Sequence, residues 1–234
     1  MNYRIYTRKH VKKNRVLGFF GNLSATNWII FINILFYIGI LFGVIYVDGF
    51  LDYVALKPAY IIQGKYLWTL LTHMFSHYLF FHLFVNMLSL MFIGNFVEKL
   101  IGKKRFVPFY LIAGLFAGFL AVGLSALIGD SALFGTSLEM SAVGASGALF
   151  GVAGLMMMLI PDLPLYVMFI PIPIKAKYAI PGILIVFAIL SAVSGLPIGN
   201  TAHFGGLLVG MVYGFYLRKK YSSKIKMLNR VFIH

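Results

Sequence analysis

Long apolar runs separated by short polar segments dominate the sequence and predict membrane-spanning helices. A helix that crosses a bilayer needs about 20 mostly apolar residues. Six runs approach this length, and they cover residues 28–47, 75–97, 106–128, 142–160, 178–195 and 199–217. The pattern therefore predicts an all-α membrane protein, built as a bundle of six transmembrane helices.

Composition supports this class. Of the 234 residues, 61% are hydrophobic and only 11% are charged, which is more apolar surface than a soluble domain of this length can bury. The chain has no cysteine, which excludes disulfides, thiolate nucleophiles and cysteine-bound metals. A net charge of +14 would indicate nucleic acid in a soluble protein, but basic residues beside membrane spans explain it here. We expect membrane lipids, and no nucleic acid, as partners.

The basic residues fall almost entirely on one side of the predicted spans. Of the 20 Lys and Arg residues, only Lys57 and Lys65 lie on the other side. Because cytoplasmic segments carry such an excess, both termini are predicted to be cytoplasmic. The chain then divides into a basic N-terminal segment (1–27), a membrane domain (28–217) and a basic tail (218–234).

The fourth apolar run begins with a stretch of small residues, Gly144–Gly151, that contains Ser146. Small residues four apart in a span commonly let two helices pack closely, and Ser146 can serve that purpose alone. Its hydroxyl is also flanked by small side chains and is therefore reachable as a nucleophile. The stretch lacks the nucleophile-elbow pattern, since Ala148 occupies the position of the last glycine. By itself, this segment therefore favours a helix-packing role for Ser146 over a catalytic one.

The sixth run carries a histidine at one end of a glycine face. Gly206, Gly210 and Gly214 follow His203 by 3, 7 and 11 residues. All four therefore share one side of a helix. This face can pack at backbone distance against the small residues of the fourth run, and that packing would bring His203 towards Ser146.

The second predicted span opens with several polar residues. His82 and Asn86 share a helix face, whereas His77 lies on another face or in the loop. Polar groups at membrane depth are costly without partners, so they mark functional or tightly packed positions. His73 and His77 either make structural hydrogen bonds or belong to a metal site, although no nearby Asp, Glu or Cys completes a ligand set. No metal or other cofactor is predicted.

The predicted topology places four polar side chains at a similar depth, roughly 10–17 Å from the outer boundary of the membrane. They are Ser146, His203, His82 and Asn86. A neutral imidazole such as His203 can take the proton of a serine hydroxyl that attacks an amide carbonyl. The resulting oxyanion needs donors, and the Asn86 amide, the His82 ring and the Ser146 backbone N–H are candidates.

An acidic third member is not apparent. Glu98 and Asp162 belong to the cytoplasmic end, far from the serine. Asp130 and Glu139 lie in an outer loop and stay open as candidates. A two-residue Ser–His arrangement is therefore expected, with the histidine held by packing and by stacking on Phe150.

Taken in order, these polar and glycine positions resemble the rhomboid intramembrane serine proteases across residues 28–217. The matching positions are Trp68, Thr72, His73, His77, His82, Asn86, Glu98, Lys99, Gly102, Gly144, Ser146, Gly147, Ala202, His203, Gly206 and Gly210. Each short motif is common by itself, whereas the whole set in this order is specific. Thr69 departs from the pattern, because many members carry Arg after the loop Trp.

The resemblance implies Ser146 as the nucleophile and His203 as the general base, with His82, Asn86 and Gly144 at the oxyanion hole. It also implies cleavage of membrane-anchored proteins near the outer end of their transmembrane segments. We expect a multi-pass protein of a prokaryotic plasma membrane, with its active site facing outward. Two alternatives stay open: a non-catalytic relative that binds and sorts membrane proteins, and a small transporter or metal carrier.

Overall fold

The architecture is almost entirely helical. The computed structural model describes residues 23–167 and 170–231, so most of the predicted N-terminal segment, 1–27, lies outside the described residues. The helices are α1 (Ala25–Tyr46), α2 (Phe50–Val54), α3 (Pro58–Ile62), α4 (Thr69–Thr72), α5 (Phe80–Ser89), α6 (Asn95–Ile101), α7 (Lys103–Ile128), α8 (Ser146–Leu159), α9 (Ala176–Ser194), α10 (Asn200–Lys220) and α11 (Ser222–Arg230).

Three shorter elements complete the description. A 3₁₀ turn, His73–Phe75, follows α4, and a π-helical stretch, Leu90–Gly94, joins α5 to α6 into one continuous helix. Strands β1 (Pro164–Leu165) and β2 (Ile174–Lys175) pair in antiparallel fashion in the connection between α8 and α9.

Each of the six apolar runs forms a helix, but the helices differ in their capacity to cross a membrane. Among the described residues, four are long and apolar enough: α1, the continuous α5–α6 helix, α7 and α9. Helix α8 has 14 residues and spans about 21 Å, less than the ~30 Å hydrocarbon core. Helix α10 has 21 residues but is not among the four. The protein is therefore a multi-pass membrane protein, while six crossings stay a prediction.

Helix α8 occupies the centre of the bundle. Apart from Ser146 and Met158, all of its side chains are buried. Helix α10 packs against it through the predicted glycine face: a Cβ on Gly206 would meet the carbonyl of Gly147, and one on Gly210 would meet the carbonyl of Gly151. The close approach of the two backbones confirms the prediction from glycine spacing, and it requires glycine at these positions.

Two helices begin later than the sequence predicted. Helix α5 starts at Phe80, so His77 lies in an extended connection and not in the span. Ser146 is the first residue of α8, whereas the sequence placed it about five residues inside. Both shifts have the same cause. Contacts between distant segments fix the connections that precede α5 and α8, so each helix begins only after its connection ends. The amide of Gly144 donates to His73 O (2.9 Å), and Ala142 pairs with Leu56.

A carboxylate on α6 anchors the start of α1. Glu98 is buried, and its oxygens accept hydrogen bonds from Ala25 N (2.8 Å), Thr26 N (2.7 Å) and Thr26 Oγ1 (2.7 Å). These amides belong to the first turn of α1, where N–H groups lack partners within the helix and the helix dipole favours negative charge. Glu98 therefore ties two helices together and is committed to a structural role.

Replacement of Glu98 by glutamine is expected to lower the free energy of unfolding by roughly 1–3 kcal/mol, since one oxygen becomes an N–H₂ group facing other donors. The measurement is an unfolding titration in mixed detergent micelles. The matched control is Glu139→Gln, because the Glu139 carboxylate is 73% exposed and only pairs with Lys57 at 2.6 Å. Exposed pairs contribute about 0–1 kcal/mol, so equal destabilisation by both variants would contradict the anchoring role.

Candidate active site

Ser146 and His203 meet where α8 and α10 begin. The Oγ of Ser146 lies 2.8 Å from the Nε2 of His203, a hydrogen bond between residues 57 positions apart. Ser146 is partly exposed, whereas His203 is buried. The pair is close because the glycine contacts below it let the two helix backbones touch. The serine hydroxyl is thus open to the surroundings on one side and bonded to an imidazole on the other.

Two aromatic rings hold the imidazole. Phe150 stacks on His203 with ring centroids 4.6 Å apart and an interplanar angle of 24°, which confirms the stacking predicted from sequence. Phe187 of α9 lies at 5.7 Å from the same ring and was not predicted, since an apolar aromatic in a span carries no sequence signal for this position. Both contacts restrict how the imidazole can rotate.

No acid completes a triad among the described residues. The Nδ1 of His203 is buried and has no hydrogen-bond partner in that part of the chain. Of the two acids that the sequence left open, Glu139 pairs with Lys57, and Asp130 makes no hydrogen bond to either nitrogen of His203. Asp162, at the other end of α8, pairs with Lys175 and Lys177. The arrangement is therefore a serine and a histidine positioned by aromatic packing.

Backbone donors converge beside the serine. No side chain caps the N-terminus of α8, and the N–H groups in the first turn of a helix have no partner within the helix. Gly144, two residues earlier, has a φ of +122°, and a Cβ there would lie 2.6 Å from the His82 ring. A larger residue at 144 would both strain the backbone and displace His82. Ser146 thus lies at the positive end of a helix, and the partly exposed His82 ring lies against Gly144, two residues before it.

Asn86 lies in this group, but its amide hydrogens are already engaged. Its Nδ2 is 3.0 Å from His77 Nε2 and 3.0 Å from the backbone oxygen of His82. The His82 ring, in contrast, has no hydrogen-bond partner among the described residues, so its N–H is free to donate. Asn86 can bind a substrate oxygen only by releasing one of its two present partners, and the structure leaves His82 as the more available side-chain donor.

The structure also gives partners to the two histidines whose roles the sequence left open. His77 is fully buried; its Nε2 faces Asn86 and lies 3.4 Å from the Ala145 amide. His73 directs its Nδ1 to Thr69 O at 2.9 Å. The rings of His73 and His77 thus make hydrogen bonds to different groups. Within the described ranges, no three His, Cys, Asp or Glu side chains cluster as metal ligands.

The arrangement has the parts that acyl transfer to serine needs. The imidazole can accept the hydroxyl proton as Ser146 attacks a carbonyl carbon. An oxyanion needs hydrogen-bond donors nearby. The uncapped first turn of α8 supplies backbone amides beside Ser146, and the His82 ring lies against Gly144.

Replacement of Asn86 by alanine is expected to lower kcat by about 10²–10³-fold if the amide reaches the oxyanion, the size of loss seen for other such donors. The measurement is steady-state cleavage of a membrane-embedded substrate. Asn33→Ala is the matched control, because Asn33 is also buried and makes the same bond to a backbone oxygen four residues earlier (2.8 Å), but on α1. An unchanged kcat in Asn86→Ala would remove Asn86 from the oxyanion hole.

Comparison with known proteins finds relatives in Arabidopsis thaliana, Saccharomyces cerevisiae and Mus musculus. The chain is 34% identical over 165 residues to RHOMBOID-like protein 5 of Arabidopsis thaliana, covering 70% of this chain and 48% of that protein. It is 33% identical over 145 residues to Rhomboid protein 1, mitochondrial, of Saccharomyces cerevisiae, covering 62% and 40% respectively. For RHOMBOID-like protein 2 of Arabidopsis thaliana the identity is 38% over 153 residues, covering 64% and 42%. The chain spans less than half the length of each relative.

These relatives do not support the expectation of a prokaryotic plasma membrane. All three are eukaryotic, and the yeast protein is named as mitochondrial. The distribution of basic residues orients a chain in a membrane but does not identify the membrane.

A family model extends the match across the site. The Rhomboid domain matches residues 64–220, more than half of the chain. This range includes Ser146, His203, His82, Asn86 and Gly144, which the structure brings together around the start of α8. On this evidence the chain belongs to the rhomboid family.

Proposed function

We propose that the protein is an intramembrane serine endopeptidase that cleaves membrane-anchored proteins near the outer end of their transmembrane segments. The observation that carries this proposal is the 2.8 Å contact between Ser146 Oγ and His203 Nε2 at the glycine-lined junction of α8 and α10. In this proposal all six long helices cross the membrane and both termini are cytoplasmic, so the active site faces outward.

Ser146 attacks the scissile carbonyl while His203 takes its proton. The oxyanion is stabilised by the Ser146 amide in the Gly144 region, by His82 and, after exchange of a partner, by Asn86. The protonated His203 then donates to the leaving amine. In the second half of the reaction His203 takes a proton from a water molecule that attacks the acyl-enzyme, and returns it to the Ser146 oxygen as the new carboxyl group leaves. No metal or cofactor is needed for this chemistry.

Substrate access is proposed to involve α9. Phe187 of α9 contacts both Phe150 and His203, so this helix borders the candidate site. Its C-terminal connection, residues 195–199, leads directly into α10. A substrate segment that unwinds beside α9 would bring a peptide bond to the exposed side of Ser146.

The proposal is tested by covalent labelling with a fluorophosphonate, which reacts with activated serine hydroxyls, followed by peptide mapping. A single adduct on Ser146 is expected, and unfolding the protein beforehand should prevent it. Ser141 serves as an internal control, because it is exposed but has no histidine partner. An absent adduct, or equal labelling of Ser141, would favour a non-catalytic protein that binds membrane proteins.

A further inference from the structure

An apolar groove runs along the outside of the bundle between α7 and α10, away from the candidate active site. Its volume is about 560 Å³, and it is lined by Phe116, Leu208, Val209, Val212, Tyr213 and Tyr216. Val212 is 70% exposed and Tyr216 is 50% exposed. Because α7 is one of the helices long and apolar enough to cross a membrane, this groove faces lipid chains.

Two cations lie at one end of the groove. Lys220 Nζ donates to the hydroxyl of Tyr216 at 2.9 Å, and Arg105 Nη2 donates to the hydroxyl of Tyr221 at 3.0 Å. Lys220 also lies 5.8 Å from the ring centroid of Tyr221, so the two cations share this tyrosine. Tyr216 both lines the groove and binds Lys220, and the groove therefore leads directly to the charged pair.

Neither cation is neutralised by an acidic side chain. The chain has only six Asp and Glu residues, and all six lie in the described ranges. Glu98 is bonded to α1, while Glu139 and Asp162 pair with lysines elsewhere. None of the ion pairs in the described ranges includes Arg105 or Lys220. Both side chains are exposed, so their charge is available to an anion from outside the chain.

We propose that this groove and the Arg105–Lys220 pair form a binding site for one anionic phospholipid. An acyl chain lies along the groove from Phe116 to Tyr216, and the phosphate is bound between the two cations. Arginine offers a planar set of donors for phosphate oxygens, whereas lysine adds a compact charge. Tyrosine hydroxyls are well placed at the boundary between hydrocarbon and headgroups. A lipid explains both halves of the site, whereas a soluble phosphate would explain only the cations.

The test is native mass spectrometry of the delipidated protein in a non-ionic detergent, with phosphatidylglycerol or phosphatidylcholine added. The wild type is expected to retain one phosphatidylglycerol molecule at concentrations where phosphatidylcholine is not retained. The double variant Arg105→Gln/Lys220→Gln should bind phosphatidylglycerol at least roughly tenfold more weakly than the wild type, because two basic contacts are lost. Val212→Trp, which fills the groove and keeps the charge, should also weaken binding.

The matched control is Lys224→Gln/Lys226→Gln, which removes the same charge from the neighbouring helix α11. This variant should bind phosphatidylglycerol like the wild type. Equal weakening in both double variants, or equal retention of the two lipids by the wild type, would overturn the proposal. Competition by millimolar inorganic phosphate together with full binding in Val212→Trp would also overturn it, because the site would then recognise phosphate alone. Unchanged melting temperatures show that each variant is folded.

Discussion

Replacement of Ser146 by alanine is expected to reduce proteolysis by at least about 10⁴-fold, to the detection limit of a gel-based assay. The variant removes the only atom proposed to bond covalently to substrate, and loss of the nucleophile in other serine hydrolases costs on the order of 10⁶-fold in kcat. The measurement is cleavage of a single-span substrate in liposomes under single-turnover conditions. Alanine lacks only the hydroxyl of serine, so the substitution adds no steric conflict.

A matched control separates chemistry from structure. Ser141→Ala makes the same change five residues earlier, at an exposed position outside α8. It should cleave at the wild-type rate. Both variants should have the same unfolding midpoint as the wild type in a titration in mixed detergent micelles. Wild-type cleavage by Ser146→Ala would refute the protease mechanism, whatever the labelling experiment shows.

Replacement of His203 by alanine is expected to cause the second largest loss, by about 10³-fold or more in kcat. Without the imidazole, Ser146 loses the hydrogen-bond acceptor at 2.8 Å and its hydroxyl keeps its proton. Fluorophosphonate labelling of Ser146 should slow in parallel with cleavage, since both reactions need an activated hydroxyl. The rates of labelling and of single-turnover cleavage are therefore measured on the same preparation.

A variant of the stacking partner provides the control for His203. Phe150→Leu keeps the imidazole but removes the stacked ring at 4.6 Å, so it should retain a measurable rate while allowing more rotation of His203. The expected order of rates is wild type, Phe150→Leu, then His203→Ala. Rapid labelling of Ser146 in His203→Ala would show that another group activates the serine.

The sequence predicted the helices and the contact between the two that carry the site. Glycine spacing after His203 was sufficient, because a side chain at Gly206 or Gly210 would collide with the backbone of α8. Such contacts follow from local helix geometry, which a single sequence encodes directly. The family assignment drawn from the same motifs was also correct. The catalytic roles of the individual residues stay predictions until the variants are measured.

The details around the serine could not be read from local pattern. The start of α8 at Ser146 depends on the hydrogen bond from Gly144 to His73, and those residues are 71 positions apart. The contact between Asn86 and His77 likewise requires the extended connection before α5. Apolar periodicity marks where a helix can form, but long-range hydrogen bonds decide where it begins. The sequence therefore predicted which residues come together, but not the hydrogen bonds that Asn86 and His77 make there.

The shortness of α8 has a consequence for how the protein assembles in a membrane. The two helices that carry the Ser146–His203 pair, α8 and α10, are also the two long helices that do not meet the criteria for spanning on their own. Short or weakly apolar segments enter bilayers poorly as single helices. We therefore expect α1, α5–α6, α7 and α9 to insert first, and α8 and α10 to enter as a packed pair. The Ser146–His203 contact would then form only in this last step and would be absent from partly assembled chains.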